Sequence, residues 1–188
     1  MLELYGVKDP QEASYARNCL LARRLIERGV RFVQLFHEAW DQHSNLTAGV
    51  KQNALDTDQA SAALVRDLKQ RGLLADTIVI WGGEFGRTPR VQWEEPWNGG
   101  RGHYGRVFSS VVAGGGFKGG RVVGASDETG SEVAERPAYP LDVIGSIYER
   151  MGIDPEGPLP NPLGQDLKVM PDDVPGFGKE SGRLREIM

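Results

Sequence analysis

The sequence predicts an α/β fold: a mainly parallel sheet flanked by helices. Three observations carry that expectation. The run Ile78-Val79-Ile80-Trp81 is apolar without alternation and stops at Gly82-Gly83, as a strand buried on both faces does. A second strand-like run, Val30 to Phe36, is rich in β-branched and aromatic residues. Between the two lies a long helical pattern, and a strand–helix–strand unit with a right-handed crossover has parallel strands.

The elements follow in order. Asp9-Pro10-Gln11-Glu12 reads as a helix start, with Asp9 as cap, Pro10 in the first turn and Glu12 closing a capping box. That helix carries Ala13, Ala16, Leu20, Leu21, Leu25 and Ile26 and stops at Gly29. The strand 30–36 leads into His37-Glu38-Ala39-Trp40-Asp41-Gln42-His43. A helix is expected over 46–71, with Leu55, Ala62, Val65 and Leu68 on one face and Gly72 closing it. After the strand that ends at Gly82, residues 82–106 show no periodicity, and so long a loop carrying Trp93, Trp97, His103 and Tyr104 reads as functional. A strand over 107–113, a glycine-rich turn, a short strand over 121–124 and a polar surface stretch to Pro137 come next. Pro140 opens a helix with Val143, Ile144, Ile147, Tyr148 and Met151 at helical spacing, closed by Gly152. Residues 154–178 hold six prolines and four glycines. The expected organisation is an α/β domain over 1–153 and a Pro/Gly-rich tail over 154–188.

Composition narrows the function classes. The 188 residues suit a domain with an ample core, and a net charge of −4 with no basic block speaks against a nucleic-acid binder. No apolar run approaches the roughly 20 residues that span a bilayer, so no membrane partner is expected. Met1-Leu2-Glu3-Leu4-Tyr5 has neither the basic start nor the apolar stretch of a signal peptide. Cys19 is the single cysteine, which leaves the compartment open.

The three histidines are His37, His43 and His103. If the two strands are neighbours, Asp41, His43, Glu84 and His103 converge above one sheet edge, where open α/β folds bind ligands. Carboxylates and imidazoles together suit a divalent ion. Arg87, Arg101 and Arg106 then bring positive charge to the same edge, in a form that grips phosphate or sulfate oxygens. Each residue also has a plainer reading. His43 can cap the following helix, His37 can be structural, and Glu84 can simply pair with Arg87 three residues on. Gly114-Gly115-Gly116 followed by Lys118-Gly119-Gly120 lacks the spacing of a phosphate-binding loop and reads as a hairpin turn.

Several motifs resemble one bacterial family. They are Ala22-Arg23-Arg24-Leu25-Ile26-Glu27-Arg28-Gly29-Val30-Arg31-Phe32-Val33, Trp40-Asp41-Gln42-His43 and Gly83-Glu84-Phe85-Gly86-Arg87-Thr88-Pro89, continued by Gly100-Arg101-Gly102-His103, by 113–120 and by Gly124-Ala125-Ser126-Asp127. In this order they resemble the domain-of-unknown-function family numbered 1501, which is sulfatase-like and similar to the alkaline phosphatase superfamily. The resemblance implies an alkaline phosphatase-like core and a metal-dependent hydrolase of phosphate or sulfate esters. It implies Asp41, His43, Glu84 and His103 as ligands of a divalent metal (Zn, Mn, Ca or Mg), and Arg87 and Arg101 as contacts to the oxyanion of a small anionic ester.

The resemblance covers the carboxyl-terminal portion of such a protein. The superfamily's first strand, with its metal aspartate and nucleophile, is expected before residue 1, so the core is expected to be incomplete on the N-terminal side and inactive alone. An N-terminal half is then an expected partner, and full-length relatives are often exported. Where family members often carry an acidic residue, Gly102 precedes His103. Cys19-Leu20-Leu21-Ala22-Arg23 lacks the proline of the sulfatase C-x-P-x-R pattern, and a buried core cysteine is expected. No nucleophile is identified: Ser44 and Thr88 are hydroxyls near the candidate ligands, with nothing to activate either. The alternative, from a different class, is a non-catalytic domain that binds metal or anion or serves in interactions.

Overall fold

Helices form the first layer of the computed structural model, which describes residues 1–170 and 182–188. The layer consists of α1 (Leu2–Tyr5), α2 (Tyr15–Glu27) and α3 (Leu46–Gln70). Helix α2 starts five residues later than its Pro10 signal. The Asp9 carboxylate accepts from the Gln11 N–H at 2.8 Å and makes a tight turn, a local bond that competes with helix. Ser14 is the true cap, its hydroxyl accepting from the Arg17 N–H at 3.2 Å.

Tyr5, Val7, Cys19, Leu20, Ala60 and Ala63 form the core between these helices, with Leu35 and Leu64 packed against it. The small Ala60 and Ala63 let α3 approach α2 closely. The buried stripe of α3 is Asn53, Thr57, Ala60, Ala63, Asp67 and Leu68. Of the face expected from apolar spacing, Leu68 is buried, whereas Leu55 is 67% exposed. The helix is turned this way because its polar residues have partners inside. Asp67 accepts from Tyr5 Oη at 3.0 Å, Arg23 Nε at 2.7 Å and Arg71 Nε at 2.8 Å, and Glu27 closes the network onto both arginines. Thr57 donates to the Asn53 carbonyl at 2.8 Å, and Asn53 itself donates to the carbonyl of Ala39. Burying these groups is tolerable because each is satisfied.

The strands are β1 (Ile78–Gly82), β2 (Gly86–Arg87), β3 (His103–Tyr104), β4 (Ser110–Gly114), β5 (Ala125–Ser126) and β6 (Val133–Glu135). β1 pairs antiparallel with β4, from Ile78↔Gly114 to Gly82↔Ser110. The expected strand 30–36 is not formed, and among the described residues β1 has no parallel neighbour. Yet burial along 32–38 alternates: Val33, Leu35 and His37 are half-buried, while Phe32, Gln34, Phe36 and Glu38 are exposed. That is the period of a strand. No backbone–backbone hydrogen bond joins residues 31–40 to any described residue. The apolar pattern was therefore real, but pairing needs a neighbour as well as a pattern. For the same reason Ile80 and Trp81 are half exposed rather than buried on both faces.

The short strand expected over 121–124 lies slightly further on, as β5, and pairs with β6 inside the stretch expected to be polar surface. Helix α4 (Pro140–Arg150) matches its sequence signals. Pro140 occupies the first turn, Asp142 accepts from the Tyr139 N–H at 2.7 Å, and Gly152 takes φ 75° just past the end. Part of the Pro/Gly-rich tail is docked: Leu184 is buried, and its N–H donates to Ser146 Oγ at 2.8 Å. Arg183 and Arg185 both pair with Glu149. Residues 171–181 of that tail lie outside the described residues. No helix among the described residues is long and apolar enough to cross a membrane.

Candidate metal centre

Two loops are clamped together to make the site. The first is the stretch 39–45, bent by positive φ at Ala39 (68°) and Asn45 (50°). The second is the long loop after β1, which closes on itself as the hairpin β2–β3, with Gly86↔Tyr104 and Arg87↔His103 in register. Backbone bonds join them: Arg101 N–H to the Gln42 carbonyl at 3.0 Å and Leu46 N–H to the Gly99 carbonyl at 3.2 Å, beside a bridge between Ser44 and Gly99. The approach is so close that a Cβ on Gly100 would stand 1.9 Å from the His43 carbonyl carbon. Glycine is needed there to bring His43 and His103 to one place.

The result is a triad. Asp41 Oδ1 is 3.0 Å from His43 Nε2 and 3.0 Å from His103 Nε2, and a ligand atom from each of the three residues lies within 4.8 Å of the others. Arg87 Nη1 contacts the same Asp41 oxygen. Loss of hydration acts to raise the Asp41 pKa, but hydrogen bonds from Arg87 and His103 and the charges of Arg87 and His43 outweigh it. The carboxyl is held below its ordinary value and stays ionised.

The other candidate residues fall differently. Glu84 lies outside the triad; its carboxylate is 68% exposed, with Oε1 3.8 Å from Arg87 Nη2. Arg101 turns its guanidinium to the backbone, Nε donating to the Thr88 carbonyl and Nη2 to that of Arg87 at 3.3 Å. Arg106 pairs with Glu132. His37 sits among Tyr15, Trp40 and Asp56, the structural placement. Cys19 is buried in α2, and burial pushes its thiol up to about 11, which leaves it inert. Thr88 Oγ1 is committed, donating to the Arg90 carbonyl and accepting from the Gly102 N–H, both at 3.1 Å.

Sequence reasoning passed over the direct Arg87–Asp41 pair and the rings that frame the triad. Trp97 lies 4.4 Å from His43 and Phe85 4.6 Å from His103, centroid to centroid. His43 Nδ1 is buried with no hydrogen-bond partner. Ring packing therefore orients this imidazole, a task that in metal sites usually falls to a hydrogen bond on the second nitrogen. Phe85 sits inside the Gly83–Pro89 motif and Trp97 inside the aperiodic loop, so position gave a signal even though spacing did not.

The donor set fits a divalent ion. Bonds of about 2.1 Å in a tetrahedral site place ligand atoms roughly 3.4 Å apart; here the Asp41–His43 and Asp41–His103 pairs stand at 3.0 Å, and all three ligand atoms lie within 4.8 Å of one another. Two imidazoles and a carboxylate favour Zn²⁺ or Mn²⁺ over Ca²⁺ or Mg²⁺, which prefer all-oxygen shells.

Residues 1–175 match the family model described as "Protein of unknown function (DUF1501)". No curated protein and no solved structure matches the chain.

Proposed function

The chain belongs to the family of proteins of unknown function DUF1501, and from that premise we propose a divalent-metal-dependent hydrolase of phosphate or sulfate esters, of sulfatase and alkaline phosphatase type. The observation that carries the reading is the convergence of Asp41, His43 and His103 on one point beside Arg87. A Zn²⁺ or Mn²⁺ ion held there supplies Lewis-acid polarisation of an ester oxyanion. Asp41, His43 and His103 hold the ion, and the Arg87 guanidinium offers paired donors to the remaining anionic oxygens. Arg101 acts one step back, fixing the Arg87 and Thr88 carbonyls and hence the backbone from which the Arg87 side chain springs. Phe85 packs on the ring of His103 and Trp97 on that of His43, which holds the two imidazoles in place.

The reading includes a mainly parallel, alkaline phosphatase-like sheet, completed by further polypeptide on the N-terminal side. In its support, residues 32–38 alternate in burial like a strand while making no backbone–backbone hydrogen bond to any described residue, and Ile80 and Trp81 of β1 stay half exposed. Added strands would satisfy the first and cover the second.

A second reading, a non-catalytic metal- or anion-binding domain, is favoured by one observation: the Thr88 hydroxyl beside the site is tied down in two hydrogen bonds and is not poised to attack. Metal analysis and turnover decide. The chain, and any longer product that its gene encodes, are dialysed against Zn²⁺ or Mn²⁺, analysed for bound ion and assayed with aryl phosphate and aryl sulfate esters. Bound metal with ester turnover in either form supports the hydrolase. Metal without turnover in both forms selects the second reading, and no metal in either overturns the hydrolase and leaves the second reading only its anion-binding form.

A further inference from the structure

Three nitrogen groups meet one oxygen, Asp41 Oδ1: Nε2 of His43, Nε2 of His103 and Nη1 of Arg87. Resting on the metal reading above, an ion held by this triad would take the lone pairs of that oxygen. A guanidinium cannot be deprotonated to make room, and it repels a second cation at the same atom. Arg87 has somewhere else to go. Its Nη2 is 3.8 Å from Glu84 Oε1, and its Cζ stands 5.4 Å from the centroid of the Phe85 ring. The move needs side-chain rotation only, because the Arg87 backbone is fixed through its pairing with His103 and the bond from Arg101.

The geometry points to Arg87 as a built-in surrogate cation: it neutralises Asp41 while no ion is bound, and an entering ion displaces it toward Glu84. Glu84 is then a positioning residue that receives the displaced guanidinium. This differs from Glu84 as a metal ligand, and the two assignments predict different outcomes. Removing Arg87 lifts a competitor and tightens ion binding. Removing Glu84 weakens ion binding only while Arg87 is present to need a partner, whereas loss of a ligand would weaken it in either background.

The test is Mn²⁺ affinity, by calorimetric titration, for the wild-type chain, Arg87→Gln, Glu84→Gln and the double variant, with circular dichroism to confirm folding. Glu84 lies exposed in the loop before β2 and Arg87 half-buried in β2 itself, and Arg87→Lys provides a second variant that keeps the charge but loses the planar fork. The expected result is about tenfold tighter binding in Arg87→Gln, an ordinary size for coupling between sites, with Arg87→Lys between it and wild type. Glu84→Gln is expected to weaken binding several-fold alone and to have no effect in the Arg87→Gln background. Equal affinity in wild type and Arg87→Gln overturns the surrogate role while leaving the metal reading intact. Equal weakening by Glu84→Gln in both backgrounds also overturns it and makes Glu84 a ligand. Absence of Mn²⁺ binding in all variants overturns the metal reading for that ion, and this inference with it.

Discussion

Gly100 lies flat against the backbone of His43, close enough that a Cβ at this position would sit 2.0 Å from the His43 carbonyl oxygen. The contact is backbone on backbone, so no side-chain rotation relieves it. Gly100→Ala is expected to push the 39–45 loop off the hairpin and to separate His43 from His103. We expect a loss of about 1–3 kcal/mol in stability, the usual range for overpacking, and a larger proportional loss in Mn²⁺ affinity. Thermal melts and metal titration on the same samples check both.

Asp67 is the buried hub of the helical layer, and Asp67→Asn removes one of the two carboxylates that meet the buried Arg23, leaving Glu27. Leaving a buried charge with no partner removes about 3–5 kcal/mol; with Glu27 still paired to Arg23 and Arg71, the loss is expected at or below the low end of that range, read as a lower urea midpoint. The same residue gives a pH dependence. Burial acts to raise the Asp67 pKa, but hydrogen bonds from Arg71 and Tyr5 and the charges of Arg23 and Arg71 hold it below the ordinary value. Its contribution is therefore complete above the unfolded carboxylate value, near about 3.9, and disappears as pH falls through the lower folded value. Acid titration of stability should lose this limb in Asp67→Asn.

Single removal of a triad member should abolish tight ion binding without unfolding the chain. His103 is the best choice, since its side chain is 55% exposed and contributes little packing. His103→Ala is expected to weaken Mn²⁺ or Zn²⁺ binding at least tenfold, in line with losing a direct ligand rather than an outer-shell partner. His37→Ala, remote from the triad, should leave ion affinity unchanged while lowering the melting temperature, because His37 packs on Tyr15 and Trp40.

Cys19 should behave as core, not chemistry. With its thiol buried and pushed up to about 11, alkylation by iodoacetamide at neutral pH is expected only after unfolding. Mass spectrometry of native and urea-treated protein distinguishes the two. Rapid native labelling would contradict the packing described for α2.

Legibility in the sequence differed by element for physical reasons. Helix α4 was readable from both ends because Pro140 and Gly152 mark positions where backbone constraints leave few alternatives. The extent of α3 was readable, but its inward face was not. Asn53, Thr57 and Asp67 are buried only because Ala39, Arg23, Tyr5 and Arg71 meet them, and such partners are distant in sequence. Apolar content marked 78–82 as a strand but carried no information on direction, and its observed neighbour, β4, runs antiparallel. At the site, the motif positions of Asp41, His43 and His103 led to residues that do come together, while Glu84 stands apart from them. The distinction depends on side-chain direction, which spacing alone does not encode.

The hairpin β2–β3 sets Arg87 directly opposite His103. Side chains directly across a ladder share a face, and a one-residue slip of either strand turns that strand's side chain to the other face. The proposed anion contact and the proposed ion ligand therefore share a face only in this register, and a slip of one strand parts them. A one-residue insertion between 88 and 102 that slips one strand, rather than being taken up by the loop, would leave Asp41 and His43 together but part Arg87 from His103.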